Sequence, residues 1–463
     1  MLAVQLAGLL GSAPAGVDEA LDLVSGFDDA LVHGFTRLDA ERGAALGALA
    51  ASLAASPLGA AAREAVEKIT AGSVSEEHLA VLAGGRAALL GAVHDALLDG
   101  LDTALGRARG RWTQPAPPQR EDLLGGCRAW LHELALTGWR GVDHDLVSSA
   151  DRTIESLLAV PALRRPAVLL DGLAAELRAS CPVATAERIP VRRWADLWSR
   201  ALLLSQAGGR ACAAEPAERV SGRLLVLGVD VHEHDTAVQA QVHAVLEPSG
   251  GGEHRLARVS VSVAKVDTIA GPAVWKLLAD HPVLLRALAE RRVLEISDMP
   301  LLAGGDLVWQ DEAAAAGEPA DPFTTARVLL AGALAPAVPP LERHPVRIAE
   351  PVLIEDYTVK EGSRLELGEH GLDLDLDRLP SCGPLTPELV AASSACIGLV
   401  RWDAGRWKAQ PLAVRATVGR KPVEAHNGDW ALGPTDPKVV KAQARSGDSV
   451  AVLRERAGRL LRK

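Results

Sequence analysis

Asp230-Val231-His232-Glu233-His234-Asp235 is the stretch whose residue types come closest to chemistry. Side chains alternate along a β-strand, so Asp230, His232 and His234 would share one face. Imidazole is a good zinc ligand, and a third ligand could come from His243 or His254. The motif then departs from metallo-hydrolases, because Thr236 and Ala237 stand where an Asp-His pair would follow. The stretch therefore reads first as a strand end at a hairpin. A metal-dependent hydrolase using His232 and His234 is the alternative. His132-Glu133 opens like a zinc-protease helix, but the second imidazole is due one turn later and position 136 is Leu. Gly447-Asp448-Ser449 resembles the serine block of some esterases. In a basic tail, Ser449 reads better as the cap of a last helix with Val450, Leu453, Ala457 and Leu460 as its apolar stripe. There is no P-loop, and no Gly-x-Gly-x-x-Gly follows a strand. No catalytic residue, metal ligand or cofactor is assigned, and the chain reads as non-enzymatic.

Two other patterns suit contact better than catalysis. Leu372-Asp373-Leu374-Asp375-Leu376-Asp377 alternates, placing three leucines on one strand face and Asp373, Asp375 and Asp377 on the other. Such a row accepts a cation or arginines, or protects an edge strand by charge. Val400–Lys408 reads as a hairpin turning at Asp403-Ala404-Gly405, with Trp402 and Trp407 paired across it. Arg401, Arg406 and Lys408 make that hairpin basic beside aromatic rings, a combination suited to anchoring a partner.

The elements that position these residues fall into an α+β order. Residues 1–215 read as helical. Val17, Leu21, Val24, Asp28 and Leu31 line one face with a single polar interruption, and Trp194, Leu197, Trp198, Ala201 and Leu202 form the stripe of a helix over 191–205. Pro115–Pro118 and Gly208-Gly209 punctuate this half. Residues 216–310 read as a β-rich domain with one helix. Its alternation of Val259, Val261 and Val263 against Ser260, Ser262 and Ala264 marks a half-buried strand. Residues 311–344 read as an Ala/Pro-rich linker, 345–432 as a second β-rich unit, and 433–463 as a basic helical tail. Both β units are expected to be small and mostly antiparallel, and no repeat of fixed period is visible.

Ten of the 14 aromatic residues are Trp, and only nine of the 49 basic residues are Lys. A GC-rich genome accounts for both. The net charge of −10 speaks against broad nucleic-acid binding, and the charge-free stretch Gly43–Ala62 is too weakly apolar to span a bilayer, so no membrane contact is expected. Residues 433–463 nevertheless carry eight basic and three acidic residues, net +5, so binding of nucleic acid through this tail is a further alternative. Five cysteines without a Cys-x-x-Cys pair fit buried thiols in a reducing compartment. No basic residue precedes the apolar run Leu2–Leu10, so a cytoplasmic protein is expected.

Pro190–Ala201 and Gly398–Trp407, with the Arg- and Ala-rich composition, resemble uncharacterised actinobacterial proteins encoded beside SWIM zinc-finger proteins, MoxR-type AAA+ ATPases and von Willebrand factor A proteins. The SWIM zinc ligands have no counterpart here. The resemblance implies an accessory subunit of an ATPase-centred system. The expectation is a scaffold or adaptor whose partner is a protein, an AAA+ ATPase by the resemblance. Its contact residues would be Arg401, Trp402, Arg406, Trp407, Asp373, Asp375 and Asp377.

Overall fold

A computed structural model describes residues 1–11, 14–113, 124–160, 163–206, 218–234, 237–266, 268–446, 450–452 and 455. Pro115–Pro118, Gly208-Gly209, Cys212, Asp235, the Gly447-Asp448-Ser449 motif and most of the last expected helix lie outside the described residues.

The helical half comprises α1 (Ala3–Gly11), α2 (Val17–His33), α3 (Ala40–Ser52), α4 (Gly59–Thr70), α5 (Glu76–Leu105), α6 (Gly125–Thr137), α7 (His144–Ser148), α8 (Asp151–Leu158), α9 (Arg164–Ser180) and α10 (Val191–Ser205). The apolar stripes of α2 to α10 meet in one core, in which Trp139, Trp194 and Trp198 are fully buried. Trp198 Nε1 donates to the Leu131 carbonyl at 2.8 Å and Trp194 Nε1 to Glu176 at 3.0 Å, so these two rings are buried with their polar atoms satisfied, while Trp139 Nε1 is buried without a partner among the described residues. The polar interruption on α2 also has its partner: Asp28 accepts from Arg86 Nε of α5 at 2.7 Å and pairs with Arg192 of α10.

Helix α5 has 30 residues, about 45 Å at 1.5 Å per residue. Ser75 caps its start, accepting from the His78 N–H at 3.2 Å. It is long and apolar enough to cross a membrane, yet both of its halves are buried in the chain. Leu79, Leu82 and Ala83 belong to the helical core, while Val93, Leu97, Leu98 and Leu101 pack with α1 against the second β unit.

The first β unit closes into a barrel. Its strands are β1 (Glu218–Glu233), β2 (Ala237–Pro248), β3 (Arg255–Ala264), β4 (Arg292–Leu301) and β5 (Asp306–Leu307). Antiparallel pairs join β1–β2, β2–β3, β4–β5 and β1–β4, and a parallel pair joins β3–β5. Between β3 and β4 lies α11 (Pro282–Ala289), whose Leu284, Leu285 and Leu288 enter the barrel core with Val229, Val231, Val242, Val259 and Val261. A 1-2-3-5-4-1 ring with a helix between the third and fourth strands is the connectivity of the five-stranded Greek-key barrel known as the OB fold. Strand β1 serves both neighbours because it turns at Gly222, where φ is +154° and a Cβ would stand 2.2 Å from the Glu247 carbonyl oxygen.

The segment expected as a linker is part of the fold. Strand β6 (Ala314–Pro319) pairs with β4, and α12 (Pro322–Leu329) buries Phe323 and Ala326. Small side chains let this stretch lie flat, which composition alone does not distinguish from a spacer.

The second unit repeats the first. Strands β7 (Ala349–Glu355) and β8 (Thr358–Lys360) together act as its first strand: β7 pairs with β11 (Ser393–Asp403) and β8 with β9 (Arg364–Leu367). Then β9 pairs with β10 (His370–Leu374), β10 runs parallel to β12 (Arg406–Val418), and β12 pairs antiparallel with β11. Helix α13 (Pro387–Ala391) again joins the third and fourth positions. Strand β13 (Lys421–His426) extends β12, and α14 (Pro437–Ser446) follows. Each barrel is antiparallel apart from one parallel pair. The repetition is one of connectivity, invisible to a search for a sequence period.

The barrels meet over Leu225, Leu227, Val245 and Leu256 of the first, Ala395, Ile397 and Ala413 of the second, and Phe323 of α12. Gly228 sits at this junction, where a Cβ would lie 2.8 Å from Leu412 Cβ. Gly228→Ala should therefore separate the barrels locally. A loss of about 1–3 kcal/mol is expected from overpacking of this kind, read as a lower denaturant midpoint.

Candidate functional site

The outer surface of the first barrel has two halves. Near the second barrel it is apolar. Farther along the same strands it is polar: Asp230 and His232 on β1, Gln239, Gln241 and His243 on β2, and Arg258, Ser260 and Ser262 on β3. Register places Asp230 beside Gln241, His232 beside Gln239, and His243 beside Arg258. Strand alternation produces this face, since the valines between these residues fill the barrel.

This polar face is the floor of a cleft of about 910 Å³. Helix α9 forms the opposite wall with Val168, Asp171, Gly172, Ala175 and Glu176. His94 and Leu98 of α5, Arg109, and residues between Pro336 and Glu350 close one end, with Arg378 and Arg401 contributed by the second barrel. The cleft thus lies where helical body, first barrel and second barrel meet, as ligand sites commonly do at domain junctions.

Among the described residues, six arginines and six carboxylates line it: Arg109, Arg193, Arg258, Arg347, Arg378 and Arg401 against Asp171, Glu176, Asp230, Asp306, Glu342 and Glu350. Each arginine already holds a carboxylate. Arg258 grips Asp306 through two bonds of 2.9 Å. Arg109 grips Asp102 at 2.7 and 3.0 Å and reaches Glu350 at 3.2 Å. Arg193 bonds Glu176, Arg347 pairs with Glu342, and Arg378 with Asp375. Burial alone would raise the Glu350 carboxyl, but Arg109 and Arg107 hold it below the usual carboxylate range.

Asp230 and Arg401, singled out separately in the sequence, meet here. Arg401 Nη2 donates to Asp230 Oδ2 at 2.7 Å, and Gln410 Nε2 donates to Asp230 Oδ1 at 2.7 Å. Arg401 Nε also donates to Gln410 Oε1, closing a buried triangle between the barrels. Both Asp230 oxygens are therefore occupied, and a cation bound to them would face a guanidinium. His232 stands exposed at the cleft rim and His234 half-buried just beyond the strand. His243 lies fully buried beside Arg258, and His254 pairs with Glu247 at 3.6 Å. Among the described residues no group of three His, Cys, Asp or Glu side chains is arranged to hold a metal. His132 contacts the Val74 carbonyl at 3.1 Å.

The contact candidates are placed differently from a single surface. Trp402 and Trp407 do pair across the hairpin, edge to face at 5.1 Å, but both are buried inside the second barrel, as Arg401 is at the junction. The hairpin faces inward because its rings fill a small barrel. Strand β10 ends at Leu374, so the acidic alternation stops early. Asp375 turns inward to Arg378 Nε at 3.0 Å, and only Asp377 is exposed. Asp373 is half-buried between Arg364 and Arg406, each at 3.1 Å, so Arg406 and the acidic strand neutralise one another.

No family model, curated protein or solved structure matches the chain.

The cleft itself escaped motif reading, because its residues come from many separated parts of the chain, from His94 to Arg401. The local signals were Asp230, His232 and His234 at a strand end, and Ser262 on the polar side of an alternating strand. Two outcomes follow from the buried groups. Asp230→Ala strands the Arg401 guanidinium and should cost about 3–5 kcal/mol, read by chemical denaturation, with Asp230→Asn milder because it keeps an acceptor. Burial, reinforced by Arg258, pushes the His243 imidazole below its ordinary 6.5. Burial also lowers His344, to about 4. A neutral buried imidazole binds its proton only on unfolding. Its contribution is therefore complete above pH about 6.5 and lost progressively below it. His243→Gln should flatten the fall in denaturant midpoint between pH about 6.5 and about 3; an unchanged slope would assign that fall to other groups.

Proposed function

We propose that this chain is a non-enzymatic scaffold or adaptor subunit that engages a protein partner in the cytoplasm. A MoxR-type AAA+ ATPase is the partner that the sequence resemblance suggests. The observation that carries this reading is the Asp230–Arg401–Gln410 triangle. The carboxylate of the most metal-like motif and the first arginine of the basic hairpin are tied together as a fastener between barrels. The thiols support the same reading. Burial pushes Cys127 up to about 11 and Cys382 and Cys396 up to about 12, far from a nucleophile at neutral pH.

A metal-dependent hydrolase would need His232 and His234 to gain a third ligand against the field of Arg401. Binding through the tail keeps some support, because Lys438, Lys441 and Arg445 are exposed along α14. That stripe is short against a net charge of −10.

Full-length chain carried through purification from its native host should retain an AAA+ ATPase as a defined complex, measured by mass spectrometry of intact assemblies. Folded bait recovered without any protein partner would overturn the adaptor reading. One equivalent of bound zinc, manganese or iron by elemental analysis would favour the hydrolase instead. Heparin retention that weakens steeply with salt would favour the tail.

A further inference from the structure

We infer that the cleft between α9 and the polar face of β1–β3 is a docking site for an extended peptide segment of near-zero net charge. This deepens the adaptor reading and rests on it, since the segment would belong to the partner.

Charge comes first. Each of the six lining arginines is held by a carboxylate of the chain, Arg258 and Arg109 through paired bonds. A phosphorylated or polyacidic ligand would have to displace those carboxylates. Single-stranded nucleic acid, a common occupant of barrels with this connectivity, draws its affinity from free cations and stacked aromatic rings. Among the described residues the lining arginines are paired, and the lining contains no Trp, Tyr or Phe.

The two walls then select the shape. On the floor, Gln239 and Gln241 present primary amides beside Ser262, the donor and acceptor types that pair with a peptide backbone. Gln241 is steadied by Ser260 at 3.1 Å, while Gln239 has no side-chain partner among the described residues. On the α9 wall Val168 is 63% exposed, and at the closed end Val346 is 43% exposed, although both line the cleft. Gly172 and Ala175 keep the α9 surface low next to Val168; a Cβ built at Gly172 meets nothing within 4 Å. A ligand must therefore be polar on one side and apolar on the other. An extended chain does this residue by residue, because successive side chains point to opposite sides. A helix satisfies its own backbone hydrogen bonds and would leave the amides of the floor without backbone partners.

The test is selection from a random peptide library on the immobilised full chain, with Gly172→Trp as the blocked variant and Gly172→Ala as its control. Trp at 172 fills open space and is better tolerated in a helix than Gly, and thermal melts of both variants will verify folding. Peptides alternating apolar and polar residues, with balanced charge, should be enriched on the wild-type chain. Their affinity should fall at least about tenfold in Gly172→Trp, while Gly172→Ala retains it. Equal enrichment on folded wild type and Gly172→Trp would overturn the inference, as would no enrichment at all. Binding of an oligonucleotide or a neutral oligosaccharide that Gly172→Trp abolishes, with no peptide selected, would reassign the cleft. Retention of the native partner by Gly172→Trp would sink the peptide site and leave the adaptor reading standing. Loss of every partner from the wild-type chain would sink the adaptor reading itself.

Discussion

A charge that cannot be left alone organises this molecule. Arg401 is 7% exposed at the meeting of two barrels, far from the solvation an isolated guanidinium requires. Asp230 answers it from the other barrel, and Gln410 fills the remaining geometry of the pair. Apolar packing over Leu225, Leu227 and Ile397 could tolerate some sliding between barrels. A directional hydrogen-bonded triangle tolerates little, so it fixes orientation where the apolar contact supplies adhesion. The cleft inherits its shape from that orientation, because its floor comes from one barrel and part of its end from the other.

Two barrels of like connectivity use their outer surfaces differently. In the first, the outside of β1–β3 is apolar near the junction and polar beyond it, so one face serves both adhesion and the cleft. In the second, the inside is closed by the Trp402–Trp407 pair and by α1 and α5 from the start of the chain. The fold therefore explains where surfaces lie, while side chains decide what each does.

Much of the architecture was legible from pattern. Val259, Val261 and Val263 announced a strand with one buried side, and the Trp194–Trp198 stripe announced a core helix; both are placed so. Asp28 read as a flaw in an apolar face because its partner, Arg86, lies 58 residues away. The same limit governs the site. Asp230 with Arg401, and Arg109 with Glu350, are separated by well over a hundred residues, and local spacing carries no trace of such pairs. The hairpin misled for a different reason: Trp beside Arg looks alike whether the rings face a partner or a barrel interior. The segment 311–344 misled because Ala, Gly and Pro describe a flat edge strand as well as a spacer.

Helix α5 has a consequence for how this protein can be rearranged. Its first half belongs to the helical core and its second half to the wall of the second barrel, across more than two hundred residues of intervening chain. The second barrel is thus not a portable module. A copy transplanted without α5 and α1 would carry a bare apolar flank, so recombination that moves the second barrel has to carry those helices with it.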